Sequence, residues 1–372
     1  MPAPLIVERG FVLCYRLFDV ADEIALEPAS RLLAEDTRRL KFSRVGSQYL
    51  RFADPPLSAE LGKRALVLRP GTTMVDGVAR VFDHGAISVI LRVPIPAGTS
   101  MHGLVVLADE LYDSPAVDSL ALELLDGLRH LLTPVLVRPH LWEQSESYTI
   151  IFVQEIAGHP SASELLERAD LARLLLGETD PEPLSARESN EVTQHRFSYK
   201  ESDLVVVDWN SAFVYEPSGS QDIPDVLEIC NAQLLELRYY DDLLDGHIRQ
   251  IYEEVRRKHR GWWSLFRSPY RLLARRVWAT LLEVSEFIER VENSLKIIGD
   301  FYLAKIYEAG VRRLRIPVWQ SNVTRKQQML AQVYQLLKGE IDTDRSLTLE
   351  ITIVILIISE LLLAIASVFS RP

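Results

Sequence analysis

The sequence predicts an α+β N-terminal part, followed by a long-helix hairpin or coiled-coil stalk and one C-terminal transmembrane helix. Three observations carry that reading. Over residues 1–160, short β-branched and aromatic runs bounded by Gly, Pro and Asp alternate with apolar stripes at helical spacing. From Leu227 onward, apolar residues recur at three- and four-residue steps, the seam of a coiled coil. Residues 347–369 read LTLEITIVILIISELLLAIASVF, a 23-residue stretch with 15 Leu, Ile, Val or Phe.

The elements follow in chain order. Phe11–Phe18, Tyr49–Phe52, Ala79–Phe82, Ala86–Val93, Gly103–Leu107 and Tyr148–Gln154 read as strands, and Leu26–Leu40 and Val117–Leu132 as helices. Residues 161–222 read as a linker plus a β-hairpin that completes the soluble domain. Gly177–Glu191 is the acidic, Pro-containing linker; Arg196–Tyr199 and Leu204–Val207 form the hairpin, and Ala212–Tyr215 adds a strand. Residues 223–346 form the helical hairpin or stalk. Its first seam runs Leu227, Cys230, Leu234, Leu237, Asp241, Leu244, Ile248, Ile251, Val255. Its second helix, Tyr270–Ala309, carries Val277, Thr280, Val284, Phe287, Val291, Ser294, Ile298 and Phe301. A proline within Arg315–Val318 breaks the pattern, and a third helix from Ser321 points into the span, so stalk and span can be one rod.

The span runs from Leu347 through Ile351 and Glu360 to Phe369. At ~1.5 Å per residue it reaches about 34 Å, enough to cross a hydrocarbon core of about 30 Å. The one central acid, Glu360, costs about 3 kcal/mol on an insertion scale where each central Leu, Ile, Val or Phe returns roughly 0.3–0.6. The apolar residues outweigh it. Only Ser370, Arg371 and Pro372 follow, and the N-terminus carries no export signal, so the expectation is a tail-anchored, single-pass protein. Its N-terminal domain would then be cytoplasmic, in a bacterial inner membrane or an organellar membrane. The lipid bilayer is the first expected partner.

Forty-one Lys plus Arg against fifty-two Asp plus Glu give a net charge of −11, which argues against nonspecific nucleic-acid binding by the whole chain. The local exception is residues 255–277. Arg256, Arg257, Lys258, Arg260, Arg267, Arg271, Arg275 and Arg276 occur there without an acid, interleaved with Trp262, Trp263, Phe266 and Tyr270. That composition suits anionic lipid headgroups or an acidic partner, with nucleic acid through 256–276 a lesser option. It equally suits a hairpin loop whose aromatics cap the coiled coil while its arginines pair with acids elsewhere in the chain.

Glu350 at the near edge of the span and Glu360 at its middle are the candidate oligomer or intramembrane site; the bland alternative for Glu360 is a protonated carboxyl bonded to Ser359. In a single-span protein, such an acid implies a homo-oligomer or another membrane subunit. Glu236, Asp241, Asp242, Asp245 and His247 resemble a metal cluster in composition only; Arg238 and Arg249 lie one turn away and point to an ion-pair face. Cys14 and Cys230 lie far apart with no CxxC, which fits a reducing compartment without a disulfide framework. No GxSxG, GxxxxGK[ST] or GxGxxG occurs, so no catalytic residue, cofactor site or metal site is nominated.

Several segments together resemble the required-for-meiotic-nuclear-division family, a membrane-anchored domain of unknown function. VLCYRLFDVADEIALEPASRLL is similar to its opening strand and helix, and RVFDHGAISVIL to its aromatic-Gly β segment. DWNSAFVYEPSGSQDIPDVLEICNAQLLELRYYDDLLD is similar to its entry into the helical part. At the terminus, Leu349 and Glu350, an apolar run and then Glu360 match the family pattern, with Ile351 where tryptophan is usual. The resemblance implies a self-assembling membrane protein that supports other machinery, with no established reaction. The expected function is therefore a non-enzymatic, tail-anchored oligomeric scaffold or tether for an unidentified cytoplasmic protein. The alternative is a CorA-like oligomeric cation conduit or gate using Glu360, although the chain lacks the Gly-Met-Asn filter and the second span.

Overall fold

A computed structural model of the chain describes residues 4–33, 38–39, 55–69, 71–256, 270–294 and 301–369. The expected strand at Tyr49–Phe52 lies outside these residues, as does most of the basic-aromatic segment. The chain divides into two compact units: Met1–Tyr239 with Asn293–Trp319, and Tyr240–Glu292 with Gln320–Pro372.

The first unit is a mixed α/β sheet domain. Its elements begin with β1 (Ile6–Asp19), β2 (Ala21–Ile24), α1 (Leu26–Leu32), β3 (Arg38–Arg39), β4 (Leu57–Val67), β5 (Thr72–Val81), β6 (Ala86–Pro94) and β7 (Thr99–Ser100). There follow α2 (Met101–Leu111), α3 (Pro115–Leu132), β8 (Leu136–Pro139), β9 (Ser145–Ile156), α4 (Ala162–Arg168), α5 (Leu171–Leu176) and α6 (Ala186–Val192). Next come β10 (Arg196–Phe197), β11 (Leu204–Val207) and β12 (Ser211–Tyr215). One ten-stranded sheet runs β10-β11-β12-β9-β1-β6-β5-β4-β3, with β7 added beside β1. Its pairs are antiparallel except β12 with β9, which is parallel. The hairpin expected at residues 196–207 thus joins the same sheet through that one parallel pair.

β1 is buried without interruption from Val12 to Asp19, which only a strand covered on both faces can be. Val12, Cys14 and Phe18 enter the core shared with Leu104, Ala108 and Leu125 of α2 and α3. The opposite face meets α7 (Asp222–Arg256): Arg80 of β5 reaches Asp225 and Glu228 there. α9 (Phe301–Arg313) packs on this same side, and its Gly310 lies so close to α7 that a Cβ would meet Cys230 Sγ at 3.0 Å. α7 is buried on every side from Asp222 to Leu237, as a core helix is, whereas a coiled-coil helix keeps a solvated face. The β5–β6 hairpin closes at Gly85, whose φ of +97° favours glycine and where a Cβ would overlap the Ala21 carbonyl oxygen.

The second unit is helical. The second half of α7, α8 (Tyr270–Ser294) and α10 (Ile316–Phe369) bury Leu244, Ile251, Val277, Val284, Leu330 and Leu337. His247 Nδ1 lies 2.9 Å from Thr280 Oγ1, Gln327 Nε2 donates to Ser285 Oγ at 2.8 Å, and Trp278 packs on Tyr334 at 5.3 Å. α10 is one helix of 54 residues, about 80 Å long at 1.5 Å per residue.

Several expectations need correction. Gly103–Leu107 is helical, inside α2, because Ser100 Oγ accepts from Gly103 N–H and starts a helix there. The helix expected over Leu26–Leu40 stops at Leu32, and Arg38–Arg39 is extended. Within the expected linker Gly177–Glu191, residues from Ala186 onward are helical, in α6, and the stretch before it carries α4 and α5, with Leu165 and Leu174 in the core. Tyr270–Ala309 is described as α8 and α9, with residues 295–300 outside the described set; Phe301 is 78% exposed and lies off the apolar face. Pro317 does not break the helix. The break is Arg315, at φ +55°, and the proline sits in the first turn of α10, where its missing N–H costs nothing.

Candidate functional site

In the sheet unit a cleft of about 720 Å³ opens where β9 and β12 begin side by side. Asp208, Trp209 and Asn210 form the turn from β11 into β12, closed by Asp208 N–H donating to the Ser211 carbonyl at 2.8 Å. The Tyr148 hydroxyl from β9 lies 3.0 Å from the Asp208 carbonyl and 2.8 Å from that of Ser211, pinning the turn to the sheet. Trp209 is held outward and is 58% exposed.

Two acid–arginine pairs make the floor. Asp208 is fully buried and accepts from Arg313 Nε at 2.7 Å, which ties the end of α9 to the turn. Glu146 at the start of β9 pairs with Arg238 of α7, which also donates to Gln144 Oε1 at 2.9 Å. Burial raises the Glu146 pKa, and the charge and hydrogen bonding of Arg238 pull it back. His195 is lowered by burial and then by the neighbouring Arg313 and Arg312. The lining residues include neither His nor Cys, so Ser145 and Ser147 have no imidazole beside them in the cleft.

Beside the cleft, at the same end of the sheet, Phe18 pairs with Ser145 and the chain turns at Asp19. His140 Nε2 lies 2.8 Å from Asp19 Oδ1, its ring stacks on Tyr239 at 4.9 Å, and Arg138 Nε reaches Asp22 Oδ2 at 2.5 Å. Burial pulls the His140 imidazole down, and the Asp19 hydrogen bond and charge more than offset it, so its pKa is raised. Deeper in, Arg80 holds both Asp225 and Glu228 at 2.5 Å. Burial pushes the Glu228 carboxyl up to about 7 against the pull of Arg80.

The residues singled out by sequence lie elsewhere. Leu347, Glu350 and Glu360 are exposed on α10 and Ile351 is half-buried, while the Phe369 side chain lies outside the described set. The candidate span on α10 is long and apolar enough to cross a membrane, and none of its most apolar stretch is buried. Arg271, Arg275 and Arg276 are exposed on α8. Arg257, Lys258, Arg260, Trp262, Trp263 and Arg267, and the side chain of Arg256, are outside the described residues. The acidic run on α7 is split between interactions: Lys326 Nζ bridges Asp241 at 2.8 Å and Asp245 at 2.7 Å, while Arg238, expected to serve this run, is engaged by Glu146. Among the described residues no three His, Cys, Asp or Glu come together as metal ligands. Cys14 and Cys230 are both free and buried.

The cleft residues Glu146, Asp208 and Arg313 carry no motif. The signal available for them was Trp209 among polar residues between the strands read at Leu204–Val207 and Ala212–Tyr215, where an aromatic has no packing reason to be.

By architecture the chain is a mixed α/β sheet protein with appended long helices, one of them apolar enough to cross a membrane. It belongs to the family described as uncharacterized protein MJ0711, N-terminal domain, which matches residues 9–222, from the start of β1 to the start of α7. It is 25% identical to uncharacterized protein MJ0711 of Methanocaldococcus jannaschii over 224 residues, covering 60% of this chain and 67% of that relative. No solved structure matches the chain.

Proposed function

We propose that the protein is a non-enzymatic scaffold or tether, anchored in a membrane through α10, whose sheet domain presents its cleft to a cytoplasmic protein partner. In this reading the α7–α8–α10 unit is the stalk, and copies associate through coiled-coil contacts along it. The observation that carries it is the apolar stretch of α10, long enough to cross a membrane and with none of it buried. A buried Leu or Ile is worth roughly 1.5–3 kcal/mol over an exposed one, so a run from Ile353 to Leu363 left in water would be very costly, and lipid removes that cost. The resemblance to the required-for-meiotic-nuclear-division family agrees with an anchored, self-assembling support protein. The test is flotation of the full-length chain with liposomes, followed by light scattering in mild detergent. Co-migration with lipid and a particle larger than a monomer are expected; a lipid-free, monomeric particle would sink the proposal.

One observation favours the cation-conduit reading: Glu360 stands exposed amid the apolar surface of α10, where oligomeric copies would bring several carboxylates together. Cation flux in liposomes that is lost in Glu360→Ala would support it over the tether.

A further inference from the structure

The cleft by β9 and β12 has a charge pattern that selects its occupant. Its lining holds five carboxylates and three guanidinium groups, an excess of two negative charges. The two deep arginines are already answered, Arg238 by Glu146 and Arg313 by Asp208. What remains toward solvent is Asp113, Glu188 and Glu191 against Arg315, and among the described residues none of these three acids has an ion-pair partner. A phosphate or another anion would therefore meet net repulsion.

Two further observations point to a cation. Arg313 directs both its Nε and its Nη2 to Asp208 Oδ1, so Oδ2 of this fully buried carboxylate is left without a hydrogen-bond partner beneath the cleft. Trp209 holds its exposed indole at the rim, where a guanidinium or ammonium can lie over the ring. The volume of about 720 Å³ falls within the roughly 300–1,000 Å³ common to ligand clefts, room for a long basic side chain and the backbone that bears it. Arg315, fixed at the rim by its left-handed backbone, suits an acid on that same backbone, which a polypeptide carries and a polyamine does not.

We propose that this cleft takes the Lys or Arg side chain of a partner polypeptide, seated over Trp209 between Glu188 and Glu191, with a neighbouring acid of the partner on Arg315. The proposal rests on the tether reading and names the chemistry of its partner.

The test uses the full-length chain in detergent micelles and an acetylated hexapeptide with one Arg and, two positions on, one Glu in an Ala background. The readout is the fluorescence difference between the wild type and Trp209→Phe, with affinity by calorimetry. Saturable binding is expected, weakened about tenfold or more when the peptide Arg becomes Gln, and to a similar degree in Glu188→Gln/Glu191→Gln, as loss of close charge partners predicts. Both replaced glutamates are exposed on α6, so the double variant keeps the fold. Absence of saturable binding, equal affinity for the Gln peptide, or an unchanged affinity in the double variant would overturn the proposal. Spermine binding more tightly than the peptide would also overturn it, assigning the cleft to a small polyamine. Liposome flotation of the same samples separates the two readings: peptide binding without flotation fails the tether alone, and flotation without peptide binding fails the cleft proposal alone.

Discussion

The sheet unit and the terminal stretch of α10 solve opposite problems. In the sheet unit, charge is buried and answered within the fold: Arg80, Asp225 and Glu228 are all nearly inaccessible, and Asp208 is wholly so, yet each has an ionic partner. On α10, apolar surface is exposed and answered by nothing among the described residues, with Leu361, Leu362 and Leu363 each more than 60% exposed. A buried ion pair is expensive to assemble and is maintained by its geometry, whereas an exposed apolar helix is expensive only in water. The contrast separates a domain whose stability is self-contained from a helix whose stability depends on its surroundings.

The largest expected effect lies on the helix. Ile357→Lys with Leu361→Lys places two ammonium groups in the apolar window at a cost of roughly 3 kcal/mol each for insertion, about 6 kcal/mol together. Flotation with liposomes should be abolished while circular dichroism keeps the sheet signal. Undiminished flotation would place the membrane contact elsewhere.

Next comes Arg80→Leu, which leaves Asp225 and Glu228 as buried acids without their cation. Breaking a buried pair from one side costs about 3–5 kcal/mol, so urea denaturation should show most of the stability of the sheet unit lost. The same change at exposed Arg271 should stay within about 0.5 kcal/mol. Equal effects at the two positions would remove the distinction drawn between the regions.

What could be read from sequence follows the same division. β1, β6, β9 and β12 were legible because their β-branched and aromatic runs announce themselves locally, and α10 because its apolar run has the length of a membrane span. The partners of charge were not. Arg80 meets Asp225 and Glu228 across 145 and 148 residues, and Arg313 meets Asp208 across 105, so only the packing of α7 and α9 against the sheet brings them together. Local proximity misled instead: Arg238, one turn from Asp242, spends its charge on Glu146, and the Lys326 that serves Asp241 and Asp245 lies on another helix. Over Leu227–Leu237 the three- and four-residue spacing reports one buried stripe and says nothing of the polar residues between. In the fold Asp225, Glu228 and Asn231 are buried too, each with its own partner.

A pH titration sharpens the comparison inside the sheet unit. The Glu228 carboxyl rises from 4.5 to about 7 on folding, so between those values the folded chain holds a proton that the unfolded chain has released. Stability on this account is highest at low pH and falls as pH rises through that window, by about 3 kcal/mol at 1.36 kcal/mol per unit. Asp225, also raised by burial, adds in the same direction. Glu228→Gln, neutral throughout, should flatten the fall in denaturation experiments at pH 4.5 to 7. A variant with the wild-type slope would show that Glu228 stays ionised beside Arg80.

The smallest expected effect tests the element the sequence misrepresents. GLVVL at residues 103–107 has the composition of a strand, and a five-residue apolar run cannot by itself be told from a helix turn. Ser100 decides the matter: its extended backbone precedes α2, and its Oγ takes the Gly103 N–H at 3.1 Å, satisfying a donor that a helix start leaves open. Ser100→Ala should lower the stability of the sheet unit by about 1 kcal/mol. Ser100→Asp should recover that loss, since its carboxylate both accepts the same bond and faces the positive end of the helix dipole. Equal stability of the wild type and the Ala variant in urea would mean that packing of Leu104, Val105 and Ala108 against β1, rather than the cap, sets the helix.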